Sequence, residues 1–233
     1  LDEQTVKTFY ENAFEIWPSG NRWYDYTNKQ IYDFLHKYCF EEDSYVLNAG
    51  SAGNNYGLPY RMHHVDIAEI RIAHLKNATT ASIEKLPFPS RSFDHIICVG
   101  SVINYCDAVA AISELYRVLN KGGTLILEFE NSYGFEYRNT EAYKRPAAIV
   151  TVKYIEEAHK QWVYSYKYIF SILKQAGFFI EKIKCFHIAS ALHLSRHCDE
   201  QRAACFTKFD PYLKAIPYIR YHANNIIILC RKS

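Results

Sequence analysis

Residues 81–105 read ASIEKLPFPSRSFDHIICVGSVINY, and residues 112–130 read ISELYRVLNKGGTLILEFE. Within the first stretch, FDHIICVG (93–100) is an almost continuous apolar run, the pattern of a strand buried on both faces. AVAAISELYRVL (108–119) places Ile112, Leu115, Val118 and Leu119 on one helical face. Lys121-Gly122-Gly123 stops that helix, and TLILEFE (124–130) is again an apolar strand. A strand, a crossover helix and a second strand of this kind make a parallel pair with a right-handed connection.

The alternation extends in both directions. Upstream, SYVLNAG (44–50) is a strand ending at glycine, and MHHVDI (62–67) is a strand ending in an acid. Residues 5–17 and 28–40 read as amphipathic helices, with Phe9, Ala13 and Ile16, then Ile31, Phe34, Leu35 and Tyr38, at helical spacing; Pro18-Ser19-Gly20 separates them. Downstream, residues 131–163 fit the alternation poorly and read as an insertion. Residues 164–176 form a helix closed by Gly177, FFIEKIKCF (178–186) is a strand, residues 188–222 are irregular and rich in His, Arg and Tyr, and NNIIILC (224–230) is a last strand. With no crossover helix before it, that last strand is expected to run antiparallel. The pattern predicts one α/β domain over 1–233, a doubly wound, seven-stranded, mostly parallel sheet. It has an N-terminal helical segment (1–43), a core (44–130) and two insertions (131–163 and 188–222).

A chain of 233 residues with 49% hydrophobic residues suits one buried core. No apolar run reaches the roughly 18 residues of a membrane span, and no charged-then-apolar leader pattern opens the chain. Seven cysteines without a CxxC read as reduced thiols of a cytoplasmic protein. Charge is uneven: residues 1–130 carry 11 Lys/Arg against 17 Asp/Glu, and residues 131–233 carry 16 against 8. The whole-chain charge of +2 gives no nucleic-acid footprint.

In a doubly wound sheet, ligands sit beyond the carboxyl ends of the strands, where strand order reverses. VLNAGSAGNNYG (46–57) is a small-residue turn of the kind that lets a backbone approach a ligand before a helix. Asp66 ends the next strand, where a carboxylate can accept both hydroxyls of a ribose or cap the following turn. Dinucleotide enzymes share both features.

The LPF, SFD and E-L-x-R-V-L-x-x-G-G segments separate the classes. With Asn48, Gly50, Asp66, Glu84, Leu86–Phe88, Ser92–Asp94, Glu114, Leu115, Arg117–Leu119, Gly122 and Gly123, residues 44–130 resemble the "methyltransferase type 11" group of class I S-adenosylmethionine-dependent enzymes. The resemblance implies a Rossmann-like fold, S-adenosyl-L-methionine as cofactor, and methyl transfer. It implies that Asn48, Gly50, Ser51 and Ala52 line the methionine and ribose part of the cofactor, that Asp66 holds the ribose and that Ile67 packs on adenine. Ser82 and Ile83 would flank the adenine edge, and Gly100 and Ser101 the methionine moiety. Three positions depart from the family pattern. The usual acid of the first turn is Asn48, the second glycine is Ala52, and the frequent Asp at position 82 is Ser.

Residues just past the fourth and fifth strands, Asn104, Tyr105, Glu130 and Asn131, are expected to face the acceptor. Glu130 is the candidate base or positioning group and Tyr105 a candidate catalytic residue or wall. Glu130 could equally be a solvated or capping glutamate. The aromatic stretch FYENAFEIWPSGNRWYDYTN (9–28) reads as a lid, with Tyr10, Trp17, Trp23 and Tyr26 shielding the site, or as helix packing on the sheet edge. His193, His197, Cys198 and Cys205 match no standard zinc spacing, so no metal is expected; His63 and His64 read as structural. The expected reaction is in-line methyl transfer to an O or N atom of a small molecule, such as a secondary-metabolite or glycan precursor. A tRNA or protein acceptor, a catalytically silent cofactor-binding subunit and a nicotinamide oxidoreductase are the alternatives. If the acceptor is anionic, Arg196, Arg202, Lys208, Lys214 or Arg220 is expected to clamp it.

Overall fold

The apolar runs become strands whose neighbouring residues point to opposite layers. The structure, a computed structural model, describes residues 1–13, 15–18, 20–38, 40–41, 43–154, 157–197 and 199–233. In chain order the elements are α1 (Glu3–Asn12), α2 (Arg22–Lys37), β1 (Tyr45–Ala49), β2 (Arg61–Asp66), α3 (Glu69–Ile72) and β3 (Ala78–Thr80). There follow β4 (Phe93–Cys98), α4 (Ala108–Val118), β5 (Leu119–Glu130), β6 (Ala147–Tyr154), β7 (Glu157–Tyr164) and α5 (Tyr166–Ala176). The chain ends with β8 (Phe178–Phe186), α6 (Ala189–His197), α7 (Glu200–Ala204), α8 (Asp210–Leu213), α9 (Pro217–Arg220) and β9 (Asn225–Lys232).

Among the described residues one sheet has seven strands in the order β3-β2-β1-β4-β5-β9-β8, and β6 and β7 form a separate hairpin. The pairs among β1 to β5 are parallel. β9 is antiparallel to both β5 and β8, as the absence of a crossover helix before it requires.

The central strands are buried on both faces because their two residue sets serve two cores. Leu47, Ile96, Leu125, Ile226 and Ile228 join α4 and α5 on one side. Val46, Ile97, Ile126, Ile227 and Leu229 join Ile31, Phe34 and Leu35 of α2 on the other. The helix expected after the first glycine turn is missing: β1 and β2 are joined by turns alone over residues 50–60. Eleven residues leave no room for a helix long enough to cover the sheet, and α2 covers that face instead.

The N-terminal helices differ from their expected bounds because polar caps set them. Asp2 accepts the N–H of Thr5 and starts α1 early, and Asn21 accepts the N–H of Trp23 and starts α2 six residues ahead of the apolar pattern. Residue 19 of the Pro18-Ser19-Gly20 break lies outside the described residues. The segment 188–222 is not irregular. It forms α6 to α9 with a 3₁₀ turn at 205–209, and Ala191, Leu194, Ala203 and Ala204 pack on Trp23. Those helices are too short for the sequence periodicity to declare them. No described helix is long and apolar enough to cross a membrane.

Candidate active site

Strand order reverses between β1 and β4, and a cleft of ≈ 230 Å³ opens beyond the carboxyl ends of the parallel strands. Its floor is the turn after β1 and the loop after β4. Its cover comes from α1, the start of α2, the β6–β7 hairpin and α6–α7.

The turn is built on the carboxylate of Asp66. The N–H groups of Gly50 and Ser51 donate to the Val65 carbonyl at 2.8 and 3.1 Å, so they hold β2 rather than point into the cleft. Asp66, 9% exposed, accepts Ala52 N–H at 2.8 Å on one oxygen and Ala68 N–H at 2.9 Å on the other. The capping and the ligand readings of Asp66 are therefore compatible: each oxygen keeps a lone pair beside the cleft. Burial raises its pKa, and the backbone donors oppose that. Gly50 cannot carry a side chain, because at φ +71° its Cβ would lie 2.4 Å from the Val102 methyls. Ala52 keeps a left-handed backbone, φ 44°, without being glycine, and its N–H bond to Asp66 holds it there.

Gly50, Ser51, Ala52, Asp66, Ile67, Ser82, Ile83, Gly100 and Ser101 all line the cleft, as do Tyr10 and Tyr105, whose rings meet edge to face at 5.4 Å. Asn48 does not reach it. Only 1% exposed, Asn48 donates to the Asn54 carbonyl at 2.7 Å and ties the glycine turn together from behind. The amide makes a donation that the carboxylate of the family's usual acid cannot make.

Glu128 is a residue that sequence reading passed over. It is 0% exposed, and one of its oxygens accepts Gly100 N–H at 3.0 Å and Ser101 N–H at 2.6 Å. Its other oxygen accepts Asn225 Nδ2 at 2.7 Å. Gly100 and Ser101 both have positive φ, 85° and 58°, so this carboxylate fixes the bend that presents them to the cleft. The only signal in the sequence was a charged residue inside the apolar run TLILEFE.

At the far end stand Glu130 and Tyr105. Glu130 accepts the Tyr137 hydroxyl at 3.0 Å and Gln161 Nε2 at 2.5 Å. The Tyr105 hydroxyl pairs with His159 Nε2 at 2.7 Å and donates to Gln161 Oε1 at 3.2 Å. Asn104 and Asn131, expected at this wall, are fully buried and serve the backbone. Asn104 clamps Glu130 and the Trp162 carbonyl, and Asn131 clamps Tyr221 and Ala223. Burial and the charge of Glu128 push Glu130 up to about 7. Burial with Glu130 and Glu200 pushes Glu136 up to about 8.

A carboxyl raised in the folded state costs stability as pH climbs from the ordinary carboxylate value toward the folded value. Glu136→Gln should therefore leave Tm unchanged near pH 4.5 and raise it by about 4 °C at pH 8.5. A difference between the two proteins that does not widen with pH in calorimetric melts would contradict this.

Residues 46–127 match the family described as methyltransferase domain. A stretch of 54 residues is 44% identical to the ubiquinone/menaquinone biosynthesis C-methyltransferase UbiE of Neisseria meningitidis, spanning 23% of this chain and 22% of that protein. The chain thus aligns with only about a fifth of the length of that curated relative. Among solved structures, the 1,6-didemethyltoxoflavin-N1-methyltransferase of Burkholderia thailandensis, with bound S-adenosylhomocysteine, superposes with a TM-score of 0.59 at 10% identity, over 99% of this chain and 87% of that one. The [4+2]-cyclase SpnF superposes at 0.65 and 14% identity, over 100% and 97%.

Residues 46–127 match a methyltransferase domain, and the whole chain shares its fold with S-adenosylmethionine-dependent methyltransferases.

The segments that carry the methyltransferase resemblance turn out to be clips. Arg117 on α4 donates to the Phe88 and Leu86 carbonyls at 2.7 and 2.9 Å, and Glu114 accepts Leu86 N–H at 2.9 Å, so two turns of one helix hold the LPF segment. Asp94 accepts Tyr45 N–H at 3.0 Å and Asn120 Nδ2 at 2.7 Å, joining β4 to β1 and to the approach of β5. Gly123 packs there, since a Cβ would meet the Asp94 carbonyl at 2.5 Å.

Tyr10, Trp17 and Trp23 of the expected lid do line the cleft. Arg71 fastens the lid by donating to the Tyr10 carbonyl at 2.9 Å and to the Ala13 carbonyl. Tyr26 is not part of the lining; it donates to Asp210 at 3.2 Å. The basic residues Arg196, Arg202, Lys208, Lys214 and Arg220 are likewise absent from the lining, to which their segment contributes Leu194 and Glu200. His187 is fully buried between Thr27 and Ser190, stacked on Trp23, and burial lowers it to about 3. His63 bonds Tyr45 and Thr79. No three described His, Cys, Asp or Glu residues form a metal-holding group, and Cys198 lies outside the described residues.

Proposed function

We propose that this protein binds S-adenosylmethionine in the cleft after β1 and β4 and transfers its methyl group to a small-molecule acceptor held between Glu130 and the lid. The observation that carries the proposal is the continuity of the cleft. One cavity runs from Asp66 and Ile83, past Gly100 and Ser101, to Tyr105 and Glu130.

The residues fit the cofactor. Asp66 offers two carboxylate lone pairs at the lip for ribose hydroxyls, Ile67 and Ile83 offer apolar contact for a flat base, and Gly100 leaves the middle of the cleft low. Bound there, the sulfonium supplies an electrophilic methyl group. The protein's own contribution is positional. Asp66 and the turn hold one reactant, while Glu130, fixed by Tyr137 and Gln161, orients the other. Tyr10 and Trp17 exclude water above the reacting centre.

A small acceptor is favoured over tRNA or protein because the far end is covered by α1, the hairpin and α6–α7, leaving a compact cavity. A silent binding subunit is disfavoured because the cleft stays open next to Ser101 and Glu130. The described cysteines are free thiols, which supports a reducing compartment such as the cytoplasm.

Titration calorimetry with S-adenosylhomocysteine tests the reading. One site per chain, with no heat from NAD under the same conditions, is expected. Failure to bind S-adenosylhomocysteine, or preference for NAD, would reject it.

A further inference from the structure

The stretch 205–218 leaves an apolar and basic face in water. Among the described residues eleven large hydrophobic side chains are exposed, and five of them, Phe206, Phe209, Tyr212, Ile216 and Tyr218, fall within this one stretch. The local fold puts them there. α8 and α9 are single turns with a proline in each, too short to bury a whole face. Leu213 and Ile219 turn inward to the core, and the aromatic side chains beside them turn out. The one acid of the stretch is withdrawn. Asp210 is 2% exposed; one of its oxygens accepts Ile188 and Ala189 N–H at 3.1 and 3.0 Å, and the other accepts the Tyr26 hydroxyl at 3.2 Å.

What remains exposed from 205 to 218 is apolar, aromatic or basic. Lys208 and Lys214 stand between the aromatic residues, with Lys208 Nζ 5.3 Å from the centre of the Phe209 ring. The rings of Phe206 and Phe209 lie 6.2 Å apart. Arg22 adds charge at one edge, donating to Cys205 Sγ at 3.5 Å. At another edge Lys184 reports a positive field. Burial first, then Lys214, Lys29 and Lys37, push its ammonium down to about 8, against the pull of Asp33.

The composition of this face says what covers it. Protein interfaces are rich in aromatic residues but depleted in lysine. Lysine interleaved with aromatic rings suits the boundary of an anionic bilayer, where rings sit at the headgroup level and ammonium groups meet the phosphates. We propose that residues 205–218 dock the protein on an anionic membrane surface, the five apolar side chains entering the headgroup region and Lys208 and Lys214 meeting the lipid phosphates. None of these residues lines the cleft, so docking does not depend on what the cleft holds. The face nevertheless adjoins the cleft's cover: α6 and α7, just before it in the chain, contribute Leu194 and Glu200 to the lining and pack on Trp23. Lysines that the sequence offered to an anionic acceptor thus serve an anionic surface.

Sedimentation of the whole chain with lipid vesicles is the test. Vesicles of equimolar phosphatidylcholine and phosphatidylglycerol should bind it at least about 10-fold tighter than vesicles of phosphatidylcholine alone. Salt at about 1 M, with a screening length of about 3 Å, should remove the difference. Lys208→Gln and Lys214→Gln should each weaken binding to the anionic vesicles about 5-fold. Tyr212→Ser combined with Tyr218→Ser should weaken it about 10-fold. Those tyrosines are 74% and 71% exposed, so the melting temperature should not move. Lys121→Gln, an exposed lysine at the start of β5 and hence at the other end of the sheet, should leave binding unchanged. The proposal is overturned if no vesicle binds, if neutral and anionic vesicles bind alike, if the lysine and tyrosine variants bind as wild type does, or if Lys121→Gln loses as much as they do. It is equally overturned if the face belongs to protein. That result would be a dimer in sedimentation velocity that the tyrosine variant dissociates, or binding to poly-glutamate as tight as to the anionic vesicles.

Discussion

Asp66→Ala is expected to weaken S-adenosylhomocysteine binding by more than about 100-fold. Two hydrogen bonds to a charged carboxylate, each worth about 1.5–3 kcal/mol, account for that loss. The same oxygens brace Ala52 and Ala68, so the variant should also lose roughly 1–2 kcal/mol of stability through two unpaired N–H groups. The two effects separate experimentally. Melting without ligand reports the brace, and the extra stabilisation conferred by S-adenosylhomocysteine reports the ribose contact. A variant that melts lower but keeps the full ligand-induced rise would make Asp66 a turn residue only.

The second large effect belongs to Glu128. Glu128→Ala removes the acceptor of Gly100 N–H, Ser101 N–H and Asn225 Nδ2, all at a fully buried position. Each stranded donor costs about 1 kcal/mol or more, so a loss of roughly 3 kcal/mol is expected, offset in part by no longer burying a charge. For a chain of this size that corresponds to a fall in Tm of about 6–12 °C. The loop at 100–101, with two consecutive left-handed residues, has no other described side chain to hold its N–H groups, so affinity for S-adenosylhomocysteine should fall as well. Glu128→Gln retains an oxygen for the two backbone donors and should recover much of the loss. A Tm within 2 °C of wild type for the alanine variant would mean that the loop is held by packing and not by this carboxylate.

Much of the core was legible because its chemistry is local. Apolar runs such as HIIC and LILEF declared central strands, Gly177 declared the end of a helix, and the Glu114–Arg117 pair lay one helical turn apart beside the LPF segment it holds. Asp66 and the glycine turn were legible for the same reason: a strand end and a tight turn are written in a few adjacent residues. The acceptor end was not legible in this way. Gln161 reaches Glu130 from 31 positions away, and Asn104 looks like an acceptor-facing residue until β7 closes over it. The charge of a half-chain also misled. Surface lysines and arginines dominate such a sum, while six carboxylate side chains stand on the cavity wall.

The sequence by itself determined the α/β layering, the antiparallel last strand and the core's resemblance to a methyltransferase domain, because periodicity and short motifs act over a few residues. Only the tertiary structure decided that α2 replaces a missing crossover helix, that Asn48 braces a turn, and that Glu128 holds the loop at 100–101. Those outcomes depend on which distant segments pack together. The burial that results changes the energy of a charge far more than its place in the chain does.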